Sequence, residues 1–116
     1  MGGDHALSEL HAFTRGQTRL NSAYGFDFLY AQDLTPALVA SVAENWPEAA
    51  GWPSWAFENH DAPRAISRWA SDEHQQAFAR SKMLLLCALR GSIILYQGEE
   101  LGLPQVDVPY DRLQDP

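Results

Sequence analysis

Cysteine and lysine are the scarcest chemistry-bearing residues of this 116-residue chain, at one each: Cys87 and Lys82. A single cysteine allows no internal disulfide and no cysteine-rich metal site. Cys87 lies in an apolar run, so a buried, inert thiol is expected. Basic residues are few, 8 against 15 acidic, and the formal net charge is -7. With no cationic run, neither nucleic acid nor an anionic membrane is an expected partner. Long hydrophobic runs are missing too. The longest, residues 83–89, falls far short of the ~20 residues that span a bilayer. The start, MGGDHALSEL, has no basic n-region and no apolar h-region, so no signal peptide is read and a cytoplasmic protein is expected. His5, His11 and His74 lack metal-ligand spacing and are expected to face solvent. No metal site, no Ser-His-Asp arrangement and no glycine-rich phosphate loop is found, and no cofactor is expected.

Apolar residues make up 46% of the chain, enough for one modest core. Residues 1–20 are hard to place beyond a short helix near 6–13. Residues 22–29 alternate Tyr24, Phe26 and Phe28 with Ala23, Gly25 and Asp27, the period of a strand. Gly25 there permits close approach of another backbone or a ligand. Thr35-Pro36 is a helix start, and Leu38, Val39, Val42 and Trp46 form its apolar stripe.

A second strand is expected near 54–58, then a short helix over 62–69. Ser71 is read as the cap of a longer helix, with Asp72 and Glu73 in its first turn. Apolar residues almost all round that helix predict deep burial. Residues 92–97 begin as the continuous run SIILY, which predicts a third strand covered on both faces. The order β-α-β-α-β implies an α/β fold with parallel strands joined by crossover helices.

Such sheets bind ligands at the carboxyl ends of their strands. Asp27, Asp61, Glu99 and Glu100 all fall near those ends, with His60 beside Asp61. Carboxylates with an imidazole suit acid-base work on an uncharged polar substrate, and sugars fit. A glycosidic bond breaks through an oxocarbenium-like transition state, which needs nearby negative charge and a proton donor. Residue type alone leaves other readings open. Asp61 also reads as a helix cap, His60 as a structural histidine, and Glu99-Glu100 as a solvated pair. Arg64 also reads as a surface charge, and Asp27 as a group that orients backbone.

The stretch Phe57-Glu58-Asn59-His60-Asp61, followed by Pro63-Arg64, resembles the seventh-strand motif of the α-amylase family, glycoside hydrolase family 13. ILYQGEELG at 94–102 resembles its eighth-strand motif, and residues 23–29 its sixth strand. The continuation to Pro116 is similar to α-glucosidases and oligo-1,6-glucosidases. The resemblance covers residues 20–116.

It implies the last three βα units of a (β/α)8 TIM barrel, which in full takes about 250 residues. It makes 21–116 a partial catalytic domain acting on α-glucoside oligosaccharides. It implies that Asp61 is the transition-state-stabilising carboxylate and that His60 and Arg64 belong to the subsite binding the reacting sugar. Asn59 would orient the loop beside that sugar. Glu99 and Asp27 would be structural or subsite-shaping. The family's nucleophile and proton donor lie at the fourth and fifth strands, which nothing before residue 20 matches. A glucosidase part that is inactive alone is therefore expected, with a sugar-binding or assembly module, or part of a transglycosylase or isomerase, as alternatives. An open sheet with bare edges also predicts self-association.

Overall fold

The computed structural model describes residues 4–48 and 51–114. Three short strands, β1 (Ala23–Gly25), β2 (Pro53–Trp55) and β3 (Ser92–Ile93), lie in the order β1-β2-β3. Both pairings are parallel, with Tyr24 opposite Ser54 and Trp55 opposite Ile93. Between and before them run α1 (Asp4–Thr14), α2 (Pro36–Asn45), α3 (Ala65–Trp69) and α4 (Gln75–Ala88). This is the expected α/β order: an open parallel sheet with helical crossovers, matching part of a TIM barrel.

The strands are shorter than their sequence patterns. Residues 22–29 pair only as far as Gly25, because 27–30 turn instead. Phe28 and Leu29 in that turn are nonetheless fully buried. Of the alternating aromatics, only Phe28 is a core residue; Tyr24 is half-buried and Phe26 is 49% exposed. Gly25 does meet a close neighbour: a Cβ there would collide with the Trp55 ring.

Thr35 caps α2 as its sequence predicts, its Oγ1 accepting the Leu38 N–H at 3.1 Å. Val42 and Trp46 bring α2 onto the core, where Trp46, Trp55, Phe28 and Phe57 meet edge to face. Residues 4–14 form a full helix, and Leu7 and Leu10 pack on the same core. His11, expected in solvent, is half-buried with its ring edge-on to Trp46 at 4.8 Å. His74 is exposed as expected, and the side chain of His5 lies outside the described residues.

The second half departs further. α3 begins at Ala65, not 62, and Ser71 makes no side-chain cap bond. Asp72–His74 form a 3-10 turn before α4 starts. The buried residues of α4 are Lys82 and Leu86, whereas Leu84 is 73% exposed and Cys87 is exposed. The expected all-round burial and the buried thiol are therefore both corrected. β3 is exposed as well, not covered on both faces. Leu84, Cys87 and β3 all lie on the solvent-facing side of the described residues.

Candidate active site

β2 is buried along its whole length, and the chain stays buried through Ala56, Phe57 and Glu58. It then turns outward at the carboxyl end of the sheet. Asn59 makes the turn, its Oδ1 accepting the N–H groups of Asp61 at 2.9 Å and Ala62 at 2.8 Å. Asparagine suits this position because its short side chain mimics a backbone turn. Asp61 therefore does not cap α3, which starts four residues later. Its carboxylate is exposed, 3.4 Å from His60 Nε2.

These residues line an open cleft of about 450 Å³. Asn59, His60, Asp61 and Arg64 form one wall, and Tyr96 and Gln105 face them. Arg64 is fixed rather than free. Its Nη1 lies 2.9 Å from Glu58 Oε2 and 2.7 Å from the Gln97 carbonyl, and its guanidinium stacks over Tyr96 at 4.5 Å. The Gln105 side chain accepts the Arg64 backbone N–H at 3.1 Å, closing the wall from the C-terminal segment. A larger groove of about 640 Å³ lies on the outer side of α4. Met83, Leu84, Cys87 and Leu101 line it together with Gln76, Arg80 and Glu100, and none of the residues of the 57–64 motif reaches it.

Of the expected site residues, Asn59, His60, Asp61 and Arg64 come together. Asp27 and Glu99 do not line the cleft. Asp27 is exposed on the turn after β1. Glu99 points inward and is fully buried, while Glu100 faces the outer groove. The expected rim of four carboxylates is thus reduced, because the carboxylate of Glu99 is taken up by Lys82.

The Lys82 ammonium lies 3.1 Å from Glu99 Oε1 and 3.2 Å from Glu58 Oε1. Glu58 also accepts the Ala65 N–H at 3.1 Å, and Glu99 accepts the Tyr96 N–H at 3.1 Å. Two buried carboxylates thus face two cations, Lys82 and Arg64, and the charges balance. Burial still raises the Glu99 carboxyl above the ordinary glutamate value, with Lys82 and the Tyr96 N–H opposing and Glu58 adding to it. Tyr24 is also raised, mainly by burial, against a hydrogen bond with Asn59.

Neither Glu58 nor Lys82 is given a role in the site from the sequence alone. A signal was available: the only lysine lies four residues from both Phe78 and Leu86, on the face α4 buries. Arg68 was missed as well. It donates to the carbonyls of Phe28, Ala31, Phe57 and Pro63, joining the turn after β1 to the end of β2. Its guanidinium is shifted below the ordinary arginine value, chiefly by burial. Among the described residues, no group of three acidic, histidine or cysteine side chains could hold a metal ion. Nor is any helix among them long and apolar enough to cross a membrane.

Comparison with known proteins bears on this arrangement. The profile of the α-amylase catalytic domain matches residues 6–116, reaching further toward the N-terminus than the motifs do. A probable α-glucosidase of Rhizobium meliloti is 43% identical over 107 residues, covering 90% of this chain and 19% of its own length. A glucan 1,6-α-glucosidase of Streptococcus pneumoniae is 33% identical over 89 residues, covering 72% of this chain and 16% of its own. Among solved structures, an α-glucosyl transfer enzyme superposes with a TM-score of 0.81 at 43% identity, over 95% of this chain and 21% of its own. The chain spans about a fifth of the length of these proteins.

Proposed function

Because the chain belongs to the α-amylase family of glycosidases, we propose that it supplies the transition-state-stabilising wall of a retaining α-glucosidase. The observation that carries this reading is the placing of Asp61. It is an exposed carboxylate at a strand's carboxyl end, held by Asn59 and bordered by His60 in an open cleft.

As a glycosidic bond breaks, positive charge grows on the sugar ring. A carboxylate fixed beforehand stabilises that charge without reorganising at the moment of reaction. Asp61 does this, His60 hydrogen-bonds the sugar hydroxyls, and Asn59 orients the loop that carries both. Arg64, neutralised by Glu58, fixes the cleft wall more than it attracts an anion, which agrees with an uncharged substrate. Asp27 and Glu99 act structurally. The family's nucleophile and proton donor have no match in residues 1–116, so these residues alone do not cleave the bond.

A second reading keeps the site and changes the acceptor. Glucosyl transfer to another hydroxyl is favoured equally by the solved transfer enzyme, which has the same 43% identity as the probable α-glucosidase. Asp61→Asn in the intact protein tests the shared reading. Turnover of an aryl α-glucoside should fall by at least about a hundredfold, the scale for losing one preplaced electrostatic group. Undiminished turnover removes it. Product analysis with a sugar acceptor then separates hydrolysis from transfer. Turnover by the 116-residue chain itself would overturn the claim that it is inactive alone.

A further inference from the structure

The loop that carries Asp61 is gripped at both ends by one charge cluster. Three residues before Asp61, Glu58 binds Lys82, Arg64 and the first N–H of α3. Three residues after it, Arg64 returns to Glu58 and to the Gln97 carbonyl. Lys82 joins this cluster to the turn after β3, donating also toward the Glu99 carbonyl at 3.4 Å. Lys82 is 1% exposed and does not line the cleft. It therefore acts on the cleft only through other residues.

We propose that Lys82 is a positioning residue, its ammonium on α4 holding the Asp61 loop at the cleft by tying Glu58 to Glu99. A compact ammonium suits this place because it can face two carboxylates from different elements at once. Without it, Glu99 loses its ion-pair partner and Glu58 keeps Arg64 alone, Arg68 acting on both carboxylates only at longer range, so a buried negative charge is left without a paired cation. The strain falls on the loop, because Glu58 is its first residue and the start of α3 hangs on the same oxygen. Removing Glu99's charge together with Lys82 leaves the Glu58–Arg64 pair balanced.

The importance of the loop rests on the reading of Asp61 given above, but the anchoring does not. Amide hydrogen exchange of the full chain, followed by NMR, tests it. In Lys82→Met, exchange at Asp61, Ala62 and Ala65 should accelerate at least about tenfold, while Val39 and Trp46 of the α2 region change less than about threefold. Lys82→Met/Glu99→Gln should return the three loop amides to within about threefold of the parent. An unchanged loop, an equal loss at the α2 amides, or a double variant no better than the single one overturns the proposal. If Lys82→Met does not fold, Lys82→Arg carries the test. A smaller acceleration confined to the three loop amides supports the anchor, and no change or a general loss overturns it. Because no turnover is read, failure here leaves the Asp61→Asn result to stand or fall separately.

Discussion

Two halves of the molecule treat similar sequence differently. In the first, β1, α2 and β2 close on one another: β2 is buried throughout, α2 is capped by Thr35, and four aromatic rings meet beneath the sheet. In the second, α4 carries three successive leucines and residues 93–96 form a continuous apolar run, yet Leu84, Ile93, Ile94 and Leu95 are 42–73% exposed. β1 and β3 are both edges of the sheet, but α1 packs on β1 whereas β3 stays exposed. An apolar run therefore reports the surface a strand was shaped for, and neighbouring chain decides whether that surface is covered. What secures the second half is polar: Lys82, held between Glu58 and Glu99.

The largest effect that separates the halves should come from truncating their apolar side chains. Trp55 is 2% exposed, packs on Phe28 and Trp46, and donates its indole N–H to the Arg90 carbonyl at 2.9 Å. Trp55→Ala should cost about 3–5 kcal/mol in denaturant unfolding. Ile94→Ala removes a side chain that already meets solvent and should cost less than about 1 kcal/mol. Equal losses would break the comparison by showing that β3 is covered in solution.

The bare edge should instead be felt between molecules. Ile93, Ile94 and Leu95 expose apolar side chains beside unpaired strand backbone, a surface that favours edge-to-edge pairing. The chain is proposed to self-associate there. Ile94→Lys should weaken association in sedimentation velocity by about tenfold, equal to about 1.4 kcal/mol. A parent chain that remains monomeric at high concentration counts against the edge as a contact.

A smaller effect should appear in the pH dependence of stability. The folded Glu99 carboxyl is raised above its ordinary value, so the folded state binds a proton that the unfolded state has already released. Its contribution is complete below the ordinary glutamate value and is lost as pH rises through the raised one. Glu99→Gln should flatten the fall in stability across that window. An unchanged slope would mean that another group carries it.

The order of elements and the parallel sheet were legible because helix signals alternate with short apolar runs. The outward-facing residues of the cleft were legible from one contiguous motif, residues 57–64, since a single loop places Asn59, His60, Asp61 and Arg64 together. The ion cluster was not, because Glu58 after β2, Lys82 on α4 and Glu99 after β3 are far apart in sequence and meet only on folding. Nothing local in Glu99-Glu100 says that one side chain turns inward and the other outward. The exposure of Cys87 and β3 was illegible for the opposite reason. Apolar sequence implies a covering surface without saying which part of a chain provides it.

The finest distinction between the halves lies at their helix starts. Thr35 and Ser71 read alike in sequence as hydroxyl caps, and both have extended backbone. Only Thr35 makes the bond, accepting the Leu38 N–H and satisfying a donor that the helix itself cannot. Ser71 precedes a 3-10 turn whose tighter winding takes its hydroxyl out of cap geometry; the backbone bond from His74 N–H to the Ser71 carbonyl holds the turn instead. Thr35→Ala should therefore cost about 1 kcal/mol, and Ser71→Ala less than about 0.5 kcal/mol, both read from denaturant midpoints at constant slope. A Ser71→Ala loss as large as that of Thr35→Ala would mean that α4 is capped in solution as securely as α2. The contrast between the halves would then narrow to their apolar cover alone.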